Sequence, residues 1–352
     1  MTRKRILFAL TAVTLASVVA GGALLAVDMF LHGRFEKSAG YNVWGYRGPV
    51  AGRKRPGEFR IVMTGGSSAY GYGAQWHEAI PALLEQQLAS RSATPAVSVI
   101  NLGYNNEGAY SFKFTLQDYL WLNYDLAVLY EGYNDLLGDT SPPNTQVYRH
   151  ESPVYRLTGY LPIFPIVFRE KAAALLNAGN AGAAYSQEQK TVFRPGLAAR
   201  GTAGALNAVA GVSQALEQQI SRITDEPSRQ VSVATATGCQ YPWQTYCQSV
   251  FEAVQLTVAN GKRVLVVGQP RFAPGNARHA RHLAQQQELG AMMQRQFAGR
   301  DDVGYLDLGS VVDLANPAES FDGMHLTPQG NSTVAAALVP ALTELMNRTG
   351  RP

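Results

Sequence analysis

Five apolar runs, each short enough to be one strand, constrain this chain most: Arg60–Met63, Ala96–Asn101, Leu126–Tyr130, Arg263–Val267 and Val303–Leu306. Runs of this length without alternation suit strands buried on both faces, and such strands need helices above and below them. Helix-length stretches lie between or after the runs, at Glu78–Leu88, Arg278–Phe297 and, closing the chain, Gln329–Met346. Strands separated by helices predict an α/β fold with a central, mainly parallel sheet. Its ligand crevice is expected beyond the carboxyl ends of the strands. About 295 residues follow Gly57, enough for one such domain carrying extra material.

The start of the chain constrains where that domain sits. Ile6 to Val27 carries no charged side chain, and a helix of that length would run about 33 Å, close to the roughly 30 Å hydrocarbon core of a bilayer. Arg3, Lys4 and Arg5 precede it, so the positive-inside rule puts the N-terminus in the cytoplasm and the residues after Asp28 on the other side. The expectation is a membrane anchor within residues 1–30, spanning at 6–27, and a juxtamembrane segment at 31–57. A cleaved signal peptide, with secretion, is the alternative. It has the same basic start but usually a shorter apolar centre, and Ala23-Leu24-Leu25-Ala26 offers small residues for cleavage.

The net charge of +4 includes Arg3, Lys4 and Arg5, leaving +1 for the rest of the chain. The basicity is therefore no sign of a nucleic-acid surface, and no separate phosphate-binding pattern accompanies it. Arg53, Lys54 and Arg55 form a short basic patch that reads as a solvated linker or as a contact for anionic head groups.

Residues 58–352 form the main domain, interrupted by an interval, 136–261, too long for an ordinary connection. It reads as a lid or specificity insertion, with helical stretches at Lys171–Ala184, Ala205–Ile223 and Val250–Ala259. Tyr148, Tyr155, Tyr160 and Trp243 offer aromatic faces for a sugar if the insertion covers the crevice; the plainer reading of each is local packing. Cys239 and Cys247 are the only cysteines, and outside the cytoplasm they could close a small disulfide loop, worth on the order of 2 kcal/mol. Two cysteines without a histidine cluster do not make a zinc site.

Three polar tracts follow strands or precede the last helix. Gly65-Gly66-Ser67-Ser68-Ala69-Tyr70-Gly71 comes directly after the first strand, Gly132-Tyr133-Asn134-Asp135 after the third, and Asp322-Gly323-Met324-His325 before the closing helix. The first can expose a hydroxyl on a sharp strand-to-helix turn. The second offers a side-chain amide, and the third a base with a carboxylate to orient it. Alone, each tract is as well explained by turn geometry or local capping.

In order and flanking residues these tracts resemble the blocks of the SGNH hydrolases, the GDSL lipase/esterase superfamily, over about Glu58–Asn347 apart from the insertion. The resemblance implies a flavodoxin-like three-layer α/β/α sandwich and acyl-ester chemistry. Ser67 would be the nucleophile, His325 the base and Asp322 its orienting carboxylate. Ser67, Gly108 and Asn134 would form the oxyanion hole. The block Asn101-Leu102-Gly103-Tyr104-Asn105-Asn106-Glu107-Gly108 also leaves Gly103 as a second choice for the glycine donor. Gly66 stands where the family's older name has aspartate. The chemistry requires neither metal nor organic cofactor. It implies an extracytoplasmic esterase whose substrate is an acyl ester, of an O-acetylated envelope or exported polysaccharide or of a lipid. The alternatives are a polysaccharide O-acyltransferase and a non-catalytic polysaccharide-binding or assembly protein.

Overall fold

The computed structural model describes residues 3–35, 40–90, 96–167 and 237–348. The helices expected at Lys171–Ala184 and Ala205–Ile223 lie outside them. The chain divides into two compact units. Among the described residues, one comprises 3–35, 41–45 and 149–167; the other comprises 40, 46–90, 96–148 and 237–348.

In the first unit, helix α1 (Arg3–Phe35) changes character along its length. Every residue from Arg3 to Val27 is exposed, whereas Asp28, Leu31 and His32, one face at helical spacing, are buried. By length and composition α1 could cross a membrane. It does not stop at the end of the uncharged run, because Asp28 and His32 find partners in the fold. Asp28 Oδ1 accepts from the Ile163 and Phe164 backbone N–H groups at 2.8 and 2.6 Å, and its Oδ2 accepts from the Tyr160 hydroxyl. The two ring nitrogens of His32 lie 2.9 Å from the Tyr41 carbonyl and 2.8 Å from that of Leu161.

The second unit holds the sheet. In chain order its main elements are β1 (Phe59–Gly65), α2 (Ser67–Tyr70), α3 (Ile80–Ala89), β2 (Val97–Asn101), α4 (Phe112–Asp118) and β3 (Leu126–Tyr130). After the short helix α5 (Pro153–Thr158) of the first unit come α6 (Gln244–Ala259), β4 (Arg263–Gly268), α7 (His279–Phe297), β5 (Val303–Asp307) and α8 (Pro328–Asn347). The strands run in the order β2-β1-β3-β4-β5 and every neighbouring pair is parallel. This is the flavodoxin-like order, with its switch point between β1 and β3. Helices α3 and α8 pack together on one side of the sheet, and α4, α6 and α7 serve the other. All five β3 residues are buried, as the uninterrupted apolar run requires. The last helix starts with Thr327 as N-cap, whose hydroxyl accepts from Gly330 N–H at 3.2 Å, and with Pro328 in its first turn.

Two boundaries differ from the sequence reading. Tyr46 to Gly57, expected as juxtamembrane approach, belongs to the sheet-bearing unit. The end of the 136–261 interval is core: α6 begins at Gln244, six residues before the expected Val250, and packs on α4 and β4 as the crossover between β3 and β4. The polar and aromatic residues between the cysteines masked that start. Cys239 and Cys247 are joined in a disulfide, tying the lead-in to the first turn of α6.

Candidate active site

Ser67 opens α2 immediately beyond β1, at the switch point of the sheet. The turn is closely packed. A Cβ at Gly65 would lie 2.1 Å from the Tyr130 carbonyl oxygen, so only glycine lets β1 pass β3 here. The Arg47 guanidinium holds the far end of the turn. It donates to the carbonyls of Tyr70, Gly71 (2.7 Å) and Ala74 (2.5 Å), satisfying groups that a short helix leaves open, and it lies 4.2 Å over the Tyr70 ring. Asn101 at the end of β2 adds a bond from its amide to the Tyr70 carbonyl at 3.1 Å.

His325 approaches from a loop closed on itself. Phe321 N–H donates to the His325 carbonyl at 3.2 Å, the Ser320 hydroxyl donates to the same oxygen at 2.9 Å, and Ser320 and Leu326 form an antiparallel bridge. Within that loop Asp322 Oδ1 accepts from the backbone N–H groups of Met324 (3.0 Å) and His325 (2.6 Å). Its Oδ2 lies 2.6 Å from His325 Nδ1, and His325 Nε2 lies 2.8 Å from Ser67 Oγ. An ionised carboxylate only accepts, so Nδ1 carries the proton and Nε2 is left to accept from the Ser67 hydroxyl. Burial works to raise the Asp322 carboxyl. The hydrogen bonds from the His325 ring and backbone, and the histidine's charge, outweigh it and hold Asp322 below the usual carboxylate range.

Asn134 reaches the turn from beyond β3. One of its two side-chain N–H groups donates to the Glu107 carbonyl at 2.9 Å, leaving the other. A Cβ at Gly66 would meet Asn134 Nδ2 at 2.4 Å and the Glu107 carbonyl oxygen at 2.8 Å, so both crowd the residue before Ser67. Gly108 follows Glu107 on that loop. A Cβ on it would lie 2.6 Å from an Asp135 carboxylate oxygen. Gly103, the second choice, is packed instead against the backbone of Ala69 and Tyr70, 2.5 Å from a Cβ to the Tyr70 nitrogen. The structure thus brings Ser67, Asp322, His325 and Asn134 together with the Glu107–Gly108 loop.

One residue the sequence reading passed over is central. Glu131, directly after β3, is buried and accepts from three backbone N–H groups: Gly66 at 2.7 Å, Gly132 at 2.8 Å and Asn134 at 2.8 Å. Its Oε2 lies 2.2 Å from where a Gly66 Cβ would be. A carboxylate reaching from the residue after β3 thus fills the space beside Gly66. Burial pushes Glu131 up to about 7 against the pull of those N–H groups. Burial, with the Glu131 charge adding to it, likewise pushes Asp135 up to about 8, against the Ala109 N–H that it accepts at 2.7 Å. A glutamate after a strand gives no local signal for this role; the signal is the missing side chain at Gly66.

Among the described residues, no group of three or more His, Cys, Asp or Glu is arranged to hold a metal. Of the rings considered for sugar stacking, Trp243 and Tyr155 are buried, Tyr160 bonds to Asp28, and Tyr148 stacks on Tyr104 with centroids 5.5 Å apart. They are used in packing.

Strand order, all-parallel pairing and the placing of the serine, asparagine and histidine tracts agree with one architecture. It is the flavodoxin-like α/β sandwich that the resemblance to the SGNH hydrolases led one to expect. Neither a family model nor a curated protein matches the sequence. Similar solved structures include an α/β hydrolase enzyme from the metagenome of Lake Arreo, Spain, with 13% identity and a TM-score of 0.45, covering 82% of this chain and 96% of that one. A member of the lipolytic protein G-D-S-L family from Veillonella parvula has 9% identity and a TM-score of 0.42, covering 81% and 98%. A catalytic mutant of an acetylxylan esterase from Geobacillus stearothermophilus has 10% identity and a TM-score of 0.43, covering 82% and 94%. Likeness at this level is no guide to substrate, and the functional reading rests on the residues.

Proposed function

We propose that this chain is an SGNH-type serine esterase, held by α1 to a membrane with its catalytic unit on the extracytoplasmic side, acting on O-acyl groups of envelope or exported polysaccharide. The observation that carries the proposal is the continuous line Ser67 Oγ, His325 Nε2, His325 Nδ1, Asp322 Oδ2, with steps of 2.8 and 2.6 Å across the ring. Turn geometry or capping explains any one of these residues; neither requires a serine hydroxyl to meet a carboxylate-oriented imidazole.

Ser67 Oγ attacks the ester carbonyl carbon while its proton passes to His325 Nε2. The oxygen that becomes negative is met by the Ser67 and Gly108 backbone N–H groups and the second Asn134 N–H. The carbon–oxygen bond to the alcohol breaks, the alcohol leaves with the proton from His325, and the acyl group stays on Ser67. Water then gives a proton to His325 as its oxygen bonds to the acyl carbon. The bond to Ser67 breaks, Oγ recovers the proton, and a carboxylic acid leaves. A hydroxyl entering in place of water would make the same cycle an acyl transfer.

The test is intact-mass analysis of the full-length protein in detergent after brief exposure to an activated acetyl ester and to acetylated glycans. A single acetyl increment, absent in Ser67→Ala and lost with release of free acetate, is expected. Decay that needs a glycan acceptor and releases little acetate would replace hydrolysis with transfer. An increment of equal size on Ser67→Ala would overturn the assignment of the nucleophile. Protease protection of the sheet-bearing unit in sealed inner-membrane vesicles of cytoplasmic-side-out orientation is the expected topology.

A further inference from the structure

Two aromatic rings stand in the open beside the base. Tyr72 is 42% exposed and Phe321 49%, high values for large apolar side chains, while His325, beside both, is 9% exposed. The Phe321 ring lies nearly parallel to the imidazole, with centroids 5.8 Å apart at 16°; the Tyr72 ring is 4.9 Å away at 49°. The two aromatic rings are 6.4 Å apart and tilted by 35°. Each is tied to one catalytic group through the backbone: Tyr72 N–H donates to the Ser67 carbonyl at 3.0 Å, and Phe321 N–H to the His325 carbonyl at 3.2 Å. Phe321 also lies against Gly73, where a Cβ would come within 2.6 Å of its ring. The glycine leaves the room the ring needs.

Resting on the esterase reading above, we infer that Tyr72 and Phe321 form the subsite for the alcohol half of the ester, and that this half is a carbohydrate ring. Proton transfer fixes the location. The leaving oxygen takes its proton from His325 Nε2, so the alcohol must lie within hydrogen-bond reach of that atom, and both rings lie against the same imidazole. Their openness fixes the class. A long apolar chain is held by a closed apolar groove, whereas two tilted faces at nearly half exposure, one bearing a phenol, suit a ring with an apolar C–H face and a hydroxyl rim that stays wet. Because the rings are hung on the nucleophile turn and the histidine loop, a sugar stacked on them is aligned with both reacting groups. Alignment of this kind raises the effective concentration of the ester at Ser67.

The experiment compares three acetate esters that share an acyl group: methyl acetate, hexyl acetate and a mono-acetylated methyl pyranoside. Tyr72→Ala and Phe321→Ala are each expected to lower kcat/KM on the pyranoside ester at least tenfold, mainly through KM, and to change methyl acetate less than twofold. Tyr72→Phe and Phe321→Tyr are expected to retain most of the pyranoside activity. Equal losses on methyl acetate and the pyranoside would assign the rings a supporting role and overturn the subsite. A loss confined to hexyl acetate would make it an apolar-alcohol site, and no loss on any ester would remove it. Labelling of Ser67 by a fluorophosphonate, at equal rates in wild type and variants, confirms that the nucleophile is intact. If wild type is neither labelled nor acetylated, the esterase reading fails. Saturation-transfer NMR with methyl pyranoside then decides the subsite alone: binding lost in the double variant upholds it, and binding unchanged overturns it.

Discussion

Among the described residues two aspartates pair closely with a histidine, one in each unit, and in only one pair does the imidazole also meet a serine hydroxyl. On α1, Asp28 Oδ2 lies 3.2 Å from His32 Nε2, and both side chains are 3% exposed. Both ring nitrogens face backbone carbonyls, and the carboxylate is taken up by two backbone N–H groups and a phenol. In the histidine loop, Asp322 orients His325 with one oxygen, and the far ring nitrogen meets a serine hydroxyl. The same residue types clamp a helix end in one place and line up with a serine hydroxyl in the other. What separates them is whether the imidazole has a nitrogen left for a group that can react.

Exchanging the two histidines tests this distinction most severely. His325→Ala is expected to lower kcat by at least about 10⁴-fold, as removal of a serine hydrolase base does, without lowering the thermal unfolding temperature. His32→Ala is expected to do the reverse, leaving turnover per folded molecule within about threefold of wild type while the unfolding temperature falls. Turnover assays alongside thermal unfolding in one detergent decide it, and a large catalytic loss in a folded His32→Ala protein would break the comparison. Next in size, Asn134→Ala is expected to reduce kcat by roughly 10²- to 10³-fold, the worth of one oxyanion donor, with little change in KM for a small ester. Asp28→Ala leaves the His32 ring without its acid and is expected to cost about 3 kcal/mol, as breaking a buried pair does. Loss of protection of α1 residues in hydrogen exchange reads that change directly.

The smallest expected effect concerns Glu131. Glu131→Gln turns one acceptor oxygen into a donor facing backbone N–H groups and is expected to lower kcat by roughly 10- to 100-fold. The sign with pH follows from the raised carboxyl. As pH falls through about 7, Glu131 takes up a proton and the acceptor for Gly66, Gly132 and Asn134 weakens. Wild-type kcat/KM should therefore fall on the acid side with a component near that value, and Glu131→Gln should lack it. Asp322, held below the usual carboxylate range, gives no component in the same window. An unchanged acid limb in Glu131→Gln would overturn the assignment of that component to Glu131.

How much of this could be read in advance divides along the same line. The sheet was legible because both of its faces are covered, so its strands are unbroken apolar runs bounded by glycine and polar turns, and Leu126–Tyr130 matches to the residue. The relay residues were legible because each sits in a tract with its own turn chemistry. Glu131 was not, since its partners lie on the turn after β1 and on the turn after β3, a relation no local pattern carries. The Asp28–His32 clamp was not either. A charged residue after an uncharged run reads as the end of a span, and only the contacts with 41 and 160–164 show why the helix continues. The start of α6 was hidden by a polar, aromatic stretch that looked like a free loop but folds into the first turn of a crossover helix.

The packing of Glu131 against Gly66 also restricts the substitutions open to this chain. An aspartate placed at 66 alone would drive its Cβ to 2.2 Å from the Glu131 carboxylate and 2.4 Å from the Asn134 amide. Shortening Glu131 alone would strip three N–H groups of their acceptor. Each position thus makes the other's obvious replacement unfit. The glycine before Ser67 and the glutamate after β3 are one commitment shared between the turns that follow two strands.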